Sequence, residues 1–336
     1  MNKYNLAILG CGAIFSRHIA AINFNSDYYK LIGVFDPNPE TIKLQKDSLL
    51  GIKIYNSEDE VYSDEVVNCI VILTPSYLHY QIAIKSLDNN KHVIIEKPAT
   101  FYSHELNHII ELATKKNLNV FGVLQVRLNP SVIIAKTAIE KGCLGLIRGV
   151  SLVQRWQRPL SYFIGWRGSM ETCGGVIREF SIHYLDILQY LVGLPKVLHS
   201  SFYNTKFTNT NISDTIYALF DFNKFGGSFE ISIAAEPKNI ECTLSILTDK
   251  GFLKLGGKSL DEIIAVEFND SETMDNFLLI KNSVLENNQS LTALTGASPY
   301  HPELYKQIFI NPSSFHLKQT FNVIKLIEGI YENQDK

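Results

Sequence analysis

The feature that most constrains the fold of this chain is an apolar run at residues 5–9, followed at once by two closely spaced glycines. A short, nearly continuous apolar run is typical of a strand that is buried on both faces. Beyond Gly10 and Gly12, apolar residues recur at helical spacing as far as residue 22. The pattern therefore predicts a buried strand, a tight turn and a helix in direct succession.

A turn of this kind can hold the phosphates of a dinucleotide. The first glycine permits the tight turn, the second lets the backbone approach a pyrophosphate, and the helix N-terminus offers unpaired N–H groups to the phosphate oxygens. The expected cofactor contacts in the turn are Gly10, Gly12, Ala13 and Ile14. Phe15 stands where the usual fingerprint has a third small residue, so we expect a slightly displaced helix or a ring turned outward.

A second apolar run, at residues 31–35, ends in Asp36. A carboxylate at the tip of the second strand can accept hydrogen bonds from ribose hydroxyls and would repel a 2′-phosphate, which favours NAD over NADP as the cofactor. The alternative is that Asp36 only begins the turn that it forms with residues 37–39.

Strands and helices then alternate along the chain to about residue 125. Strands are expected at residues 66–73, 92–95 and 118–123, and helices at residues 77–88 and 103–116. This alternation predicts an α/β fold with a parallel, doubly wound sheet, in which ligands bind beyond the carboxyl ends of the strands. We therefore expect residues 1–125 to form an NAD-binding Rossmann domain. Its further cofactor contacts are expected near the strand ends, at Thr74, Pro75, His79, Glu96, Lys97 and Gln125.

The pattern changes in the second half of the chain, residues 126–336. Helices are expected at residues 130–142 and 175–192, with two more within 302–333, and strands at residues 198–207, 214–222, 226–234, 240–248, 251–256 and 261–268. Consecutive strands joined by turns predict an open, largely antiparallel sheet. We expect a substrate-binding α/β domain. Because an open apolar sheet face must be covered, we also expect assembly into a homodimer or homotetramer.

Composition narrows the classes of function. The formal net charge is −3 and no basic cluster is present, which argues against a nucleic-acid partner. No apolar run reaches about 18 residues, so we expect no contact with a membrane. The five cysteines form no CxxC pair, and the opening stretch lacks the basic region and uninterrupted apolar core of a signal peptide. We therefore expect a cytoplasmic protein with reduced cysteines.

The chain resembles the Gfo/Idh/MocA oxidoreductases in three segments: GCGAI near its start, TPSYLHYQIAIKSLDNNKHVIIEKP, and GGVIREFSIHYLDILQYLVG. This resemblance implies an N-terminal Rossmann domain and a C-terminal α/β domain with an open, largely antiparallel sheet. Two further segments, VLQVRLNPSVIIAK and WRGSMETCGGVI, look like the branch that oxidises UDP-linked N-acetylated sugars or their uronic acids at C3. Those relatives serve surface-polysaccharide pathways.

Oxidation of a secondary alcohol with NAD needs a base for the hydroxyl proton, and His183 is the natural candidate because its ordinary pKa lies near neutrality. Glu179 precedes it by four residues on a helical pattern, so the two should share a face, and Glu179 could orient His183. By resemblance, Lys97 hydrogen-bonds the same substrate oxygen. The alternatives are a structural histidine, or a metal site formed with Asp186. No second histidine or cysteine lies nearby at ligand spacing, so we predict no metal.

Other basic and aromatic residues are candidates for binding. Guanidinium groups pair with phosphate in a bidentate manner, so a nucleotide diphosphate could be contacted by Arg127, Arg155 and Arg158. The alternative is that these three arginines only form a solvated surface. By resemblance, Trp166 and Arg167 lie in a loop that reaches the cofactor, from the same or a neighbouring subunit.

The sequence therefore predicts an NAD-dependent dehydrogenase that acts on a secondary hydroxyl, at C3 by resemblance, of a nucleotide-linked sugar or sugar acid. One alternative is an enzyme of the same family that acts on a free sugar or on a polyol such as an inositol. Another is a non-catalytic NAD-binding regulator, which would not need Lys97 and His183. A third is a glycosidase that oxidises C3 transiently.

Overall fold

The computed structural model describes residues 3–208, 210–288, 293–294 and 299–334. Within these ranges the chain divides into two compact units. The first contains the residues up to Leu124 and, much later in the chain, residues 299–321. The second contains the described residues from Gln125 to residue 288, and residues 322–334.

The first unit is built on a sheet of six parallel strands. These are β1 (Tyr4–Leu9), β2 (Tyr29–Phe35), β3 (Lys53–Ile54), β4 (Cys69–Ile72), β5 (His92–Ile95) and β6 (Val120–Gly122). Their spatial order is β3-β2-β1-β4-β5-β6, and each neighbouring pair is parallel. The predicted parallel, doubly wound sheet is confirmed. The strand order reverses between β1 and β4, which is where ligands bind in sheets of this kind.

Five helices connect these strands: α1 (Phe15–Phe24), α2 (Pro39–Leu44), α3 (Glu58–Ser63), α4 (His79–Asp88) and α5 (Ser103–Lys115). Local sequence explains where the short ones begin. The side chain of Asn38 accepts a hydrogen bond from the Glu40 backbone N–H at the start of α2, and Pro39 occupies the first helical position. Ser57 caps α3 in the same way, through the backbone N–H of Glu60.

The second unit contains a seven-stranded mixed sheet. Its strands are β7 (Ile147–Arg155), β8 (Lys196–Tyr203), β9 (Thr215–Asp221), β10 (Gly226–Ser232), β11 (Glu241–Thr248), β12 (Gly251–Gly256) and β13 (Glu262–Phe268). Their order is β13-β12-β11-β7-β10-β9-β8. All neighbouring pairs are antiparallel except β7 and β10, which run parallel. The largely antiparallel sheet is confirmed, but its central strand β7 was not predicted from the sequence.

The second half of the chain also forms α6 (Pro130–Glu140), α7 (Met170–Cys173), α8 (Ile182–Val192), α9 (Ser271–Asn287), α10 (His301–Ile310) and α11 (Phe321–Glu332). A π-helical turn, Ile177–Ser181, leads directly into α8. The predicted helix over residues 175–192 is therefore a π-helical turn and an α-helix in succession. The sequence analysis did not predict α9.

The expected domain of residues 126–336 needs a correction at its C-terminal end, because α10 belongs to the first unit. The Tyr29 hydroxyl donates a hydrogen bond to the Tyr305 carbonyl oxygen at 2.8 Å. The amide of Asn25 donates to the Pro302 carbonyl oxygen, also at 2.8 Å. These bonds attach α10 to β2 and to the end of α1, so the chain returns to complete the first unit.

All five cysteines are free thiols. Four of them are buried, and Cys143 is half-buried. In the part of the chain that the structure describes, no helix combines the length and the apolar composition that crossing a bilayer would require.

The packing of α10 predicts that one of its leucines is important for stability. Leu304 is fully buried, so Leu304→Ala should leave a cavity and lower the free energy of unfolding by about 2–5 kcal/mol. Ile310 on the same helix is 52% exposed, and Ile310→Ala should cost less than about 1 kcal/mol. Urea unfolding of the two variants measures the difference. Equal losses would show that α10 does not pack as described.

Candidate functional site

The glycine turn after β1 lies directly against the end of β4. Gly10 has φ +96°, and a Cβ atom there would come within 2.7–2.8 Å of backbone atoms of Leu73 and Thr74. Only glycine fits this position, because both the conformation and the close approach exclude a side chain. At Gly12 a Cβ atom would meet nothing within 4 Å. The turn is thus tight on its inner side and open beside Gly12, as a pyrophosphate cradle requires.

The helix that follows the turn presents a suitable N-terminus to an anion. α1 begins after Ile14, has no capping side chain and carries no acidic residue in its first turn. Ala13 is exposed beside it. Phe15 is fully buried, so the expectation that its ring could turn outward is wrong. The ring packs into the core of the first unit, and the exposed part of the turn is formed by small residues.

Asp36 is held against the glycine turn. One carboxylate oxygen accepts a hydrogen bond from the Cys11 backbone N–H at 2.8 Å, and the other accepts one from the Asn38 N–H at 2.9 Å. Asp36 therefore also begins the turn at residues 37–39, which was the alternative role considered for it. Burial, with a smaller contribution from Asp36, raises the pKa of the Cys11 thiol to about 12, so the turn carries no thiolate that would repel a phosphate.

His79 connects the loops that follow β4 and β5. Its Nε2 lies 2.9 Å from the carbonyl oxygen of Thr74, and its Nδ1 lies 2.8 Å from that of Pro98. Because both ring nitrogens are engaged with the backbone, we assign His79 to holding these loops rather than to direct cofactor contact. The hydroxyl of Thr74 is buried and has no hydrogen-bond partner in the structure, so it remains available to a bound ligand.

The residues after β5 divide into an inward-facing carboxylate and a half-buried lysine. Glu96 is 7% exposed, and its two oxygens bond to His18 Nε2 at 3.0 Å and to the backbone N–H of Lys97 at 2.8 Å. This side chain is therefore engaged within the first unit, and a contact of Glu96 with the cofactor stays a prediction. The peptide bond between Lys97 and Pro98 is cis.

In the second unit, Glu179 is held by two residues of the preceding loop. The Tyr162 hydroxyl donates to its Oε1 at 2.5 Å, and Arg167 Nε donates to the same oxygen at 3.1 Å. The Arg167 guanidinium also lies over the Trp166 ring, 4.3 Å from its centroid. Three of these four residues were candidates from the sequence, whereas Tyr162 was not, because no distinctive pattern surrounds it.

His183 lies in the first turn of α8 and is half-buried, whereas its chain neighbours Ile182 and Tyr184 are buried. The expectation that Glu179 shares its face assumed a continuous α-helix. Glu179 instead lies in the π-helical turn Ile177–Ser181, where the repeat is wider than in an α-helix. The four-residue spacing therefore does not place these two side chains as an α-helix would.

Two of the three candidate arginines are already paired with carboxylates. Arg127 is 7% exposed and forms a bidentate pair with Asp186, at 2.6 and 2.7 Å. Arg155 pairs with Glu230 at 2.6 Å and with Glu241 at 3.0 Å on the second sheet. Their charges are therefore compensated within the protein, which disfavours both residues as ligands of a substrate phosphate.

Arg158 differs from the other two arginines. Its guanidinium lies over the rings of Trp156 and Phe180, at 4.7 and 4.9 Å from their centroids. Its hydrogen bonds go to neutral groups only, the Gln157 carbonyl oxygen and the Asn239 side chain. In the described parts of the chain it forms no ion pair with a carboxylate, so its positive charge remains available to an anion.

Gln125, the last of the expected strand-end contacts, begins a 3-10 turn at the start of the second unit. It is 4% exposed, and its side-chain oxygen has no hydrogen-bond partner in the structure. An unsatisfied buried amide oxygen is costly, which is consistent with a ligand that supplies the missing donor.

The environment of His79 predicts how stability depends on pH. Burial lowers the pKa of His79 and outweighs the carbonyl oxygens of Pro98 and Thr74, which favour the protonated ring, so the folded protein keeps the neutral ring at pH values where the unfolded chain takes up a proton. Stability contributed by this residue is therefore full above about pH 6.5 and is lost as the pH falls below that value, by about 1.4 kcal/mol per pH unit.

Urea unfolding at pH 7.5 and 5.5 tests this effect. His79→Gln should lose about 1 kcal/mol less between the two pH values than the wild type does. His104→Gln, at an exposed position on α5, is the matched control. If the wild type and His79→Gln decline equally, the buried ring is not responsible for the pH dependence.

Comparison with known proteins places both halves of the chain. Residues 4–123 match the model of the GFO_IDH_MocA oxidoreductase family with an NAD-binding Rossmann fold. Residues 132–254 match the model of the GFO/IDH/MocA C-terminal domain.

Three relatives illustrate the range of similarity. An uncharacterized oxidoreductase of Streptococcus pneumoniae is 24% identical over 273 residues, which is 77% of this chain and 72% of that protein. The scyllo-inositol 2-dehydrogenase (NADP(+)) IolW of Bacillus subtilis is 23% identical over 68% of this chain and 64% of that protein. The WlbA dehydrogenase of Bordetella pertussis, solved with NADH and UDP-GlcNAcA, has a TM-score of 0.86 and 25% identity. That match covers 99% of this chain and 95% of the WlbA chain.

The two family models together span most of the chain, and the glycine turn and Asp36 lie within the N-terminal one. The first unit is thus an NAD-binding Rossmann domain, and the chain belongs to the Gfo/Idh/MocA family of NAD-dependent oxidoreductases.

Proposed function

We propose that the protein oxidises a secondary hydroxyl, at C3, of a nucleotide-linked sugar or sugar acid, in the biosynthesis of a surface polysaccharide. The observation that carries the proposal is the likeness to the WlbA dehydrogenase, which extends over 99% of the chain and concerns a protein crystallised with UDP-GlcNAcA. The uncompensated guanidinium of Arg158 supports it independently, because a nucleotide-linked sugar carries a diphosphate.

The reaction needs a group that removes the hydroxyl proton and a group that stabilises the developing alkoxide, while NAD accepts the hydride. We assign proton removal to His183, whose ring is half-buried at the start of α8. We assign the hydrogen bond to the alkoxide oxygen to the ammonium of Lys97.

The role of Glu179 is revised by its contacts. Its carboxylate oxygen accepts hydrogen bonds from Tyr162 and Arg167, so we propose that Glu179 holds the loop that carries Trp166 and Arg167. Cofactor contact by Trp166 and Arg167 stays a prediction. Glu179 then acts as a positioning residue for this loop.

The second sheet suggests how copies of the chain associate. Along β9, Ile216 and Ala218 are buried, whereas Tyr217 and Leu219 on the opposite face are 44% and 52% exposed. We propose that this opposite face forms a symmetric contact with a second copy, which gives a homodimer or homotetramer. The cytoplasmic location expected from the cysteines stays a prediction.

The first test is whether NAD is reduced when the protein is incubated with UDP-sugars, UDP-uronates and free polyols, measured as absorbance of the reduced cofactor. We expect turnover of a UDP-linked compound. His183→Asn should lower kcat by about 100- to 10,000-fold, as removal of a general base does. Turnover of free polyols alone would favour the alternative of a polyol dehydrogenase. The similarity to the scyllo-inositol 2-dehydrogenase of Bacillus subtilis supports that alternative.

The arginines allow a sharper test of the diphosphate. Arg158→Gln should raise the KM for the UDP-linked substrate by about 10- to 100-fold, the effect of losing one charge-assisted hydrogen bond. Arg155→Gln is the matched control, because that guanidinium is already paired with Glu230 and Glu241. It should leave KM within about three-fold. Equal effects of the two substitutions would argue against a diphosphate contact at Arg158.

A further inference from the structure

The first unit contains a buried cluster of two histidines and a glutamate, which we call the His18–Glu96–His301 cluster. The three side chains come from α1, the end of β5 and the start of α10, and are 0%, 7% and 1% exposed. One nitrogen or oxygen atom of each lies within 4.8 Å of those of the other two. Buried ionisable groups are costly unless they are paired, so this arrangement needs an explanation.

Glu96 links the cluster to the peptide of Lys97. Its Oε1 lies 3.0 Å from His18 Nε2, and its Oε2 accepts the backbone N–H of Lys97 at 2.8 Å. Burial by itself raises the pKa of Glu96, but the hydrogen bond from His18 and the closeness of the His301 ring outweigh it and hold the pKa well below its usual range. Glu96 is therefore a carboxylate, which can accept from both donors at once.

The hydrogen bonds around His18 run in one direction. Its Nδ1 lies 2.8 Å from the hydroxyl of Tyr305, which is fully buried. Burial lowers the pKa of His18 and raises that of Tyr305, so the ring is neutral and the hydroxyl keeps its proton. The tyrosine must then donate to Nδ1, and Nε2–H donates to Glu96. The orientation of Glu96 is thus fixed from α10 through α1.

His301 completes the cluster from the other side. Its Nε2 lies 3.8 Å from Glu96 Oε1, and its ring meets that of His18 edge-on, with centroids 5.3 Å apart. Neither ring nitrogen has a hydrogen-bond partner in the described structure, although both are buried. The His301 ring therefore confines the Glu96 carboxylate from the side of α10.

We propose that the His18–Glu96–His301 cluster is a positioning device for Lys97, in which Glu96 fixes the lysine's peptide and the two histidines fix Glu96. All three are at most 7% exposed, so in this proposal they act through Lys97 and not by contact with the substrate. This inference rests on the proposed function only in assigning the substrate oxygen to Lys97. Loss of the cluster should therefore misplace the ammonium and slow the chemical step, while the binding of NAD and of substrate changes little.

A direct measurement follows the backbone amide of Lys97 without needing a substrate. In protein labelled with ¹⁵N-lysine, the Lys97 amide signal is assigned by its absence in Lys97→Arg. It should shift in both variants, because Glu96→Gln replaces the acceptor of that N–H and His301→Gln removes a ring that lies against this acceptor. His108→Gln, at an exposed position on α5, should leave it in place. An unmoved Lys97 signal in both cluster variants would overturn the proposal.

The kinetic measurement uses the compound of the panel that the wild type turns over. His301→Gln should lower kcat by about 10- to 100-fold and leave KM and NAD affinity within about two-fold. The isotope effect on kcat with substrate deuterated at the reacting carbon should increase, which a loss of folded protein alone would not cause. An unchanged kcat despite a shifted amide signal would also overturn the proposal.

Two further results would distinguish failure of the proposed function, or a metal site, from failure of the positioning proposal. If no compound of the panel reduces NAD, the proposed function fails, and the amide signal still decides whether the cluster positions residue 97. If the purified protein contains one equivalent of a divalent metal that His301→Gln loses, the cluster is a metal site, and the positioning proposal is wrong.

Discussion

The close approach of the glycine turn to the end of β4 is the contact on which the rest of the first unit depends. A Cβ atom at Gly10 would collide with the backbone of Leu73 and Thr74, so the ends of β1 and β4 can meet only because this side chain is absent. Asp36 then closes onto the turn from β2, and His79 joins the loops after β4 and β5. The polar groups at one edge of the sheet are thus fixed by backbone contacts rather than by the ligand.

The sequence predicted five of the six strands of the first sheet, because most of their residues are buried and appear as apolar runs. It did not predict β3, whose two residues are exposed. It failed at β7, where the buried positions alternate with half-buried ones and include the polar Gln154. It also failed at α9, whose apolar residues are spread over a helix with many exposed positions. A strand in the centre of a mixed sheet can therefore carry a weaker signal than a strand in a parallel one.

The candidate site was also only partly predictable from the sequence. Motifs identified the glycine turn, Lys97 and His183, because these residues stand at characteristic positions in the chain. They could not separate Arg158 from Arg127 and Arg155, because the carboxylates that neutralise the latter two lie on distant elements. The bond between His18 and Tyr305 joins residues 287 positions apart, and no local pattern reports such a pair.

The return of α10 to the first unit has a consequence for synthesis of the chain. The surface of α1 and β2 that receives Pro302 and Tyr305 is made before the second sheet, whereas the helix that covers it is made after that sheet. Until the second unit has been synthesised, the nascent Rossmann domain therefore exposes the aromatic surface that α10 later covers. A ribosome-bound chaperone that shields apolar surface would find its substrate there.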